Sequence, residues 1–254
     1  MRNIYFVGTA GCGKSTMVGA FKEWLYENGI DSITINLDPG VDQLPYEPDI
    51  DIREWVTLDE VMEEYALGPN GAQVAASDIM AMNITKITSI LNTIKTKYVL
   101  IDTPGQLELF AFRASTKAII DSLDKEKSMI AYLCDPSLCK TPNGYISSMV
   151  LSAIVQFRLQ LPTITLLSKS DTLNEETLER TMSWYNNPDS LFGDLIDEDS
   201  DPQTMIGMEL FKALENVGTY GEMRAISSND FLGLEDIYSM AQLVFFGGED
   251  ADKD

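Results

Sequence analysis

The feature of this sequence that most constrains its fold is a glycine-rich run between an apolar stretch and a helical pattern. The apolar stretch covers residues 4–7, and the helical pattern covers residues 14–28 and ends before Gly29. The run fits G-x-x-x-x-G-K-[S/T] and consists of Gly8, Thr9, Ala10, Gly11, Cys12, Gly13, Lys14 and Ser15, with Thr16 next. A strand, such a loop and a helix in this order predict a phosphate-binding loop, and the flanking elements disfavour a fortuitous glycine-rich turn.

The chemistry expected at this loop follows from its residue types. Glycines allow the backbone N–H groups to wrap phosphates, and the helix N-terminus adds a partial positive charge. We expect Lys14 to reach the β- and γ-phosphates of a nucleotide and the Ser15 hydroxyl to ligand Mg²⁺. Cys12 occupies a variable position of the pattern and is interpreted as inert.

Strand and helix patterns alternate along most of the chain. Residues 4–7, 32–37, 98–101, 128–134, 163–167 and 223–226 read as buried strands, with helical patterns between them. Such alternation predicts a three-layer α/β fold of the P-loop NTPase type, with a mostly parallel sheet and helical insertions. The clearest stripe is expected to pack on the sheet and consists of Ile146, Met149, Val150, Ala153, Ile154, Phe157 and Leu161.

We predict one nucleotide-binding domain over residues 1–246 and an acidic tail over residues 247–254. Two segments interrupt the alternation: an insertion at about 56–95, and an acidic insertion at about 186–203 that is expected to be solvated and mobile. The helix-like stretch 73–94 of the first insertion leaves three alternatives open, namely buried core, a dimer face or a groove for a client peptide.

Composition narrows the class of partner. The net charge of −22 repels phosphate backbones, so nucleic acid is an unlikely partner, although a ring of N–H groups can still bind one nucleotide. No apolar run of about 18 residues and no secretory leader occur, which predicts a cytoplasmic protein without a membrane span. Cys12, Cys134 and Cys139 are expected to be free thiols.

Two aspartates are expected at the same edge of the sheet as the phosphate-binding loop. Asp102 ends the strand before Thr103-Pro104-Gly105-Gln106, where it can hold Mg²⁺. Gly105 can approach a γ-phosphate with its N–H, and Gln106 stands where a water-orienting side chain is needed. Asp38 follows the second strand and is expected to contact Mg²⁺ or the attacking water, the alternative being a turn cap before proline.

The base is predicted from residues after the last two strands. Ser168-Lys169-Ser170-Asp171 resembles the guanine-reading N-K-x-D motif with serine in place of asparagine, so weaker bracing of this loop is expected. Asp171 can accept hydrogen bonds from guanine N1 and N2, and the stem of Lys169 can lie along the base. Ser227 and Ser228, followed by Asn229, stand where the guanine edge would be closed.

Together these motifs resemble the GPN-loop GTPase family. The resemblance is carried by Gly68-Pro69-Asn70 and by the stretches 36–40, 51–53 and 102–108, and it extends from residue 1 to about residue 246. It implies a homodimer in which Gly68, Pro69 and Asn70 of one subunit reach the nucleotide site of the other. It further implies that Asp38, Gln106 and Glu108 surround the attacking water, and that relatives act in the assembly of multisubunit complexes.

The function predicted from these residues is Mg²⁺-dependent hydrolysis of GTP to GDP and phosphate by a homodimeric conformational switch. Positioning and charge neutralisation are what phosphoryl transfer requires, and the residues above supply both. No basic finger is evident in cis, so turnover is expected to be slow. The alternatives are a nucleotide-dependent small-molecule kinase or ATPase on the same fold, and a scaffold that binds GTP without hydrolysing it.

Overall fold

The computed structural model describes residues 1–198, 202–217 and 223–247 and contains one seven-stranded sheet in which every neighbouring pair is parallel. The strand order is β3-β2-β4-β1-β5-β6-β7. The strands are β1 (Arg2–Gly8), β2 (Ser32–Asn36), β3 (Ile50–Asp51), β4 (Tyr98–Asp102), β5 (Ser128–Cys134), β6 (Thr163–Leu167) and β7 (Met223–Ala225). The short edge strand β3 was not predicted, because two residues are too few for a periodic pattern.

The helices cover both faces of this sheet. They are α1 (Lys14–Glu27), α2 (Leu58–Tyr65), α3 (Pro69–Leu91), α4 (Leu107–Ala111), α5 (Ala114–Ser122), α6 (Pro136–Cys139), α7 (Pro142–Leu159), α8 (Glu175–Asn186), α9 (Pro188–Glu198), α10 (Pro202–Val217) and α11 (Leu234–Phe246). Successive residues of β1 point to opposite faces, so Ile4 and Phe6 pack with α1 and α11, whereas Tyr5 and Val7 pack with α3 and α7. The predicted three-layer α/β fold is therefore confirmed.

Strand β1 lies between β4 and β5, and this position sets where a ligand can bind. The register pairs Phe6 with Asp102 on one side and Gly8 with Leu133 on the other. Strand order reverses at β1, which leaves a crevice beyond its carboxyl end. The loops that follow β1, β2, β4 and β6 all begin at this edge of the sheet.

The insertion between β3 and β4 is helical, and its apolar residues divide between the core and the surface. Helix α2 begins with a capping box between Thr57 and Glu60. Helix α3 begins earlier than the predicted residue 73, with Gly68 as its N-cap and Pro69 in its first turn, where a missing N–H costs no hydrogen bond. Its apolar residues Met80, Ile84, Ile87 and Leu91 are buried, whereas Val74 and Met82 are exposed.

Two expectations about helical segments hold for only part of each segment. In the predicted stripe of α7, Ile146 and Met149 are buried but Phe157 is 80% exposed, so it is covered neither by the sheet nor by α9 and α10, which also pack on this helix. The acidic insertion was expected to be solvated; its helix α9 exposes Asp189 and Asp197 but buries Leu191 and Leu195. Residues 199–201 of this insertion and the tail residues 248–254 lie outside the described residues.

The described residues also bear on two expectations about composition. All three cysteines are free, as predicted, and all three are buried. Within residues 1–198, 202–217 and 223–247, no helix has the length and hydropathy needed to cross a bilayer.

Candidate nucleotide and magnesium site

The loop between β1 and α1 has a backbone that only glycine fits at two positions. A Cβ atom on Gly8 would lie 2.5 Å from the carbonyl oxygen of Leu133 and 2.7 Å from Cys12 Sγ. Gly13 is the N-cap of α1 and has a left-handed φ of 97°, which strains any residue with a side chain. Burial raises the pKa of the Cys12 thiol, which favours the unreactive form and agrees with the inert interpretation.

Lys14 connects this loop to the segment that follows β4. Its ammonium donates to the carbonyl oxygens of Gly8 at 3.1 Å, Thr9 at 3.0 Å and Gly105 at 3.3 Å. The residue is only 6% exposed, so the positive charge is held at the mouth of the loop by carbonyl dipoles. An anion bound to the loop would meet this charge directly.

Asp102 lies beside this lysine with one carboxylate oxygen unpaired. Its Oδ2 atom accepts a hydrogen bond from the Tyr46 hydroxyl at 3.1 Å, whereas the buried Oδ1 atom has no partner. Burial raises the pKa of Asp102 to about 6, although the hydroxyls of Ser15 and Tyr46 and the charge of Lys14 oppose the shift. Burial and the neighbouring Asp102 also raise the pKa of Tyr46, so the phenol stays protonated and is the donor.

The residues around Asp102 fit a magnesium ion. An unpaired buried carboxylate oxygen is costly unless another group compensates it, and a divalent cation is such a group. The neighbouring side-chain atoms of Ser15 and Asp38 are also oxygens, and hydroxyl and carboxylate oxygens are the ligands that Mg²⁺ prefers. The chemistry of this donor set therefore agrees with the ion expected from the sequence.

Asp38 is held in the site by groups of its own segment and by the backbone of Gly105. Its N–H donates to Asn36 Oδ1 at 2.9 Å, and its Oδ1 atom accepts from the Gly40 N–H at 2.9 Å. Its Oδ2 atom accepts from the Gly105 N–H at 2.9 Å. Gly105 is thus bonded to Lys14 through its carbonyl group and to Asp38 through its N–H.

Arg53 supports Asp38 indirectly. Its guanidinium holds both carboxylate oxygens of Asp51, and its Nη1 atom donates to the carbonyl oxygens of Val41 and Asp42. Burial alone would raise the pKa of Asp51, but hydrogen bonds from Arg53 and Asn36 hold it below its usual value. Because Asp51 also accepts from Asn36 at 2.9 Å, Arg53 acts as a structural clasp for the segment that carries Asp38.

The loop after β6 is braced against the phosphate-binding loop. The buried Ser168 hydroxyl lies 2.6 Å from the carbonyl oxygen of Cys12 and 3.1 Å from that of Cys134. The Lys169 ammonium donates to the Gly11 carbonyl oxygen at 2.5 Å, and its stem lies over Gly13. The serine that replaces asparagine in this motif therefore does brace the loop, through one hydroxyl proton.

Asp171 is exposed, and its hydrogen-bond partner, Asn229, was not among the predicted site residues. The amide nitrogen of Asn229 donates to Asp171 Oδ2 at 2.7 Å, and the Asn229 N–H donates to the Ser227 hydroxyl at 3.2 Å. Ser227 is buried, Ser228 is half-buried, and Thr16 is exposed on the first turn of α1. The Ser227-Ser228-Asn229 sequence signalled this loop, but the contact between Asn229 and Asp171 required the tertiary structure.

A cavity of about 220 Å³ lies next to Asp38 and brings several predicted residues together. It is lined by Ala10, Asp38, Pro39, Gly40, Leu58, Gln73, Ser77, Pro104, Gly105, Gln106 and Leu109. Gln73 and Ser77 come from α3 of the same chain, and no sequence motif indicated them. Asn70 and Glu108 are exposed and do not line this cavity.

Comparison with known proteins identifies the family. The model of a family described as a conserved hypothetical ATP binding protein matches residues 6–245. A GPN-loop GTPase of Pyrococcus abyssi is 35% identical over 94% of this chain and 95% of its own length. GPN-loop GTPase 1 of Dictyostelium discoideum is 30% identical over 95% of this chain, and that of Saccharomyces cerevisiae is 30% identical over 96%. The chain spans only 61% and 60% of the length of these two relatives.

A solved structure agrees with the sequence comparison. The crystal structure of a Pyrococcus abyssi GTPase in its apo form has a TM-score of 0.86, with 33% identity over 96% of this chain and 98% of that one. The predicted resemblance is thereby confirmed, and with it GTP binding and hydrolysis as the class of activity. On the match over residues 6–245 and on this identity, the chain belongs to the family of GPN-loop GTPases.

Proposed function

We propose that this GTPase hydrolyses GTP with the help of Mg²⁺, as a homodimeric switch whose catalytic groups meet at Gly105. The observation that carries the proposal is a pair of hydrogen bonds at Gly105. Its carbonyl oxygen accepts from the Lys14 ammonium at 3.3 Å, and its N–H donates to the Asp38 carboxylate at 2.9 Å. These contacts join the loops that follow β1, β2 and β4 at one point. A γ-phosphate bound there would compete for both groups.

The phosphates are bound by the backbone of residues 8–13 together with Lys14 and Thr16. Lys14 exchanges its carbonyl partners for phosphate oxygens, which are stronger acceptors for a charged donor. Ser15, Asp38 and Asp102 are the residues that would hold Mg²⁺, which neutralises phosphate charge when it is bound. The buried Asp102 is then stabilised in its charged form.

The attacking water is oriented by Asp38 and Gln106. With GTP bound, the N–H of Gly105 turns from Asp38 to the γ-phosphate and stabilises the charge that develops there. The released carboxylate of Asp38 can then accept a hydrogen bond from the water. Glu108 lies on α4 next to this segment and would approach the water only after α4 moves.

Guanine is read by Asp171, with Lys169 beside the base and Ser168 bracing the loop. The Asn229 amide donates to Asp171, as the N1 and N2 groups of guanine would in the complex. The loop of Ser227 and Ser228 closes over the same edge. The carboxylate is thereby held in an acceptor position.

The partner expected for this chain is a second copy of itself. Gly68, Pro69 and Asn70 are exposed at the start of α3, and the cavity beside Asp38 is lined by later residues of that helix, Gln73 and Ser77. This arrangement supports action of Asn70 on the γ-phosphate of the partner subunit. Cytoplasmic assembly of multisubunit complexes, with a client protein or peptide bound by the dimer, is the cellular role that we propose.

The test is an isolated hybrid of one wild-type subunit and one subunit that carries both Lys14→Ala and Asn70→Ala. If Asn70 acts across the interface, the only intact phosphate-binding loop lacks its asparagine, and GTP hydrolysis should be almost absent. One lost donor of this kind lowers the rate by about 10²- to 10³-fold in other enzymes.

The matched control is a hybrid of wild type with the single Lys14→Ala subunit, which keeps Asn70 available and should retain about half of the wild-type activity. Half activity in the double-mutant hybrid as well would contradict the cross-subunit role. A protein that is monomeric at assay concentration would contradict it too.

A further inference from the structure

The segment between β2 and β3 places an aromatic side chain in the magnesium site. Tyr46 belongs to this segment, and its hydroxyl donates to Asp102 Oδ2 at 3.1 Å. The second oxygen of the carboxylate, Oδ1, is buried and has no partner. The Tyr46 phenol is thus hydrogen-bonded to one carboxylate oxygen of Asp102, and the other oxygen is left to bind another group.

The position of Tyr46 is determined by the elements around it. Its ring lies over Gly19 of α1, where a Cβ atom would be only 3.2 Å from Tyr46 Cβ. The segment is anchored after Tyr46 by Asp49, which accepts from the Lys22 ammonium at 2.7 Å and from the Thr34 N–H at 2.8 Å. A helix position without a side chain and an anchored loop end therefore seat the phenol against Asp102.

A further anchor lies on the other side of Tyr46. The Nη1 atom of Arg53 donates to the carbonyl oxygens of Val41 at 3.0 Å and Asp42 at 3.2 Å. The phenol is therefore part of a loop that is tied down before and after it. This makes Tyr46 suited to fixing the direction of a carboxylate.

We propose that Tyr46 is the positioning residue of the magnesium site and that its hydrogen bond orients Asp102 so that Oδ1 serves the ion. The inference rests on the proposed assignment of Asp102 to Mg²⁺. A carboxylate that can rotate presents either oxygen to an ion. The hydrogen bond from Tyr46 to Oδ2 fixes the plane of the Asp102 carboxylate and leaves Oδ1 to bind the ion. Groups that orient metal ligands in this way contribute about 10- to 100-fold to metal affinity in other proteins.

The test is Tyr46→Phe, which keeps the ring over Gly19 and removes only the hydroxyl. Mg²⁺ is titrated into the protein–GDP complex by calorimetry, and release of a fluorescent GDP analogue is followed as a function of Mg²⁺. We expect the Mg²⁺ dissociation constant to rise about tenfold or more. GDP affinity in EDTA should stay within about twofold, because the phosphate-binding loop is unchanged.

The matched control is Tyr26→Phe, since Tyr26 is a tyrosine of α1 that is 82% exposed. It should leave the Mg²⁺ titration unchanged, and the thermal midpoint of each nucleotide-free variant verifies that it is folded. Wild-type Mg²⁺ affinity in Tyr46→Phe would overturn the inference, and so would tighter binding, because the phenol would then compete with the ion. If the wild-type complex itself fails to bind Mg²⁺, the proposed magnesium site falls first and this inference with it.

Discussion

The brace formed by Ser168 provides the most quantitative prediction, because the contacts that Ser168→Ala removes are known. The hydroxyl is buried and lies 2.6 Å from the Cys12 carbonyl oxygen and 3.1 Å from the Cys134 carbonyl oxygen. The Cys134 oxygen also accepts the N–H of residue 168 at 3.1 Å, and alanine keeps that bond. The principal loss is therefore the hydrogen bond to Cys12 in the phosphate-binding loop.

The expected magnitude follows from the burial of this hydrogen bond. A net hydrogen bond contributes about 0.5–1.5 kcal/mol, and a buried polar group left unsatisfied costs about 1–3 kcal/mol. Ser168→Ala should thus lower the free energy of unfolding by about 1–3 kcal/mol. Because Ser168 joins the loops that carry Lys14 and Asp171, part of this loss should appear in nucleotide binding. We expect GDP affinity to fall about threefold to tenfold, where tenfold corresponds to about 1.4 kcal/mol.

The assays are urea unfolding of the nucleotide-free protein and titration with a fluorescent GDP analogue. The matched control is Ser147→Ala, because the Ser147 hydroxyl donates to the Asn143 carbonyl oxygen at 2.8 Å on the exposed side of α7. That change should alter the free energy of unfolding by no more than about 0.5 kcal/mol. Equal losses in the two variants would refute the reasoning, since burial of the hydroxyl would then have no effect.

Two further predictions concern the nucleotide itself. Lys14→Ala should nearly abolish binding of a fluorescent GTP analogue, because the buried ammonium at the mouth of the loop is lost; wild-type affinity in this variant would contradict the phosphate-binding assignment. Asp171→Asn should weaken GTP binding about tenfold, because amide N–H groups would face the guanine donors, and should favour xanthosine triphosphate in a competition assay. If ATP competes as well as GTP in the unmutated protein, the assignment of guanine reading to Asp171 is wrong.

Much of the site could be predicted from the sequence because its parts are local. The spacing from Gly8 to Ser15, between a strand and a helix, predicts a phosphate-binding loop. Asp102 ends one strand and Ser168 follows another, and the apolar residues of both strands identify them. Parallel strands bring their carboxyl ends to one edge, so local motifs at separate positions in the chain predict one common site. The class of fold and the family followed from this order of motifs.

The tertiary structure decided what depends on packing between distant segments. The bond from Tyr46 to Asp102 joins residues 56 positions apart, and no period or spacing in the chain indicates it. No sequence pattern indicates Gln73 in the cavity beside Asp38 either, since it lines that cavity only because α3 packs on the site. Phe157 was misassigned because a helical period shows that a stripe exists but not which neighbours cover it. Local motifs thus specified the chemistry of this GTPase, whereas the contacts that orient it arise only when the helices and loops pack on the sheet.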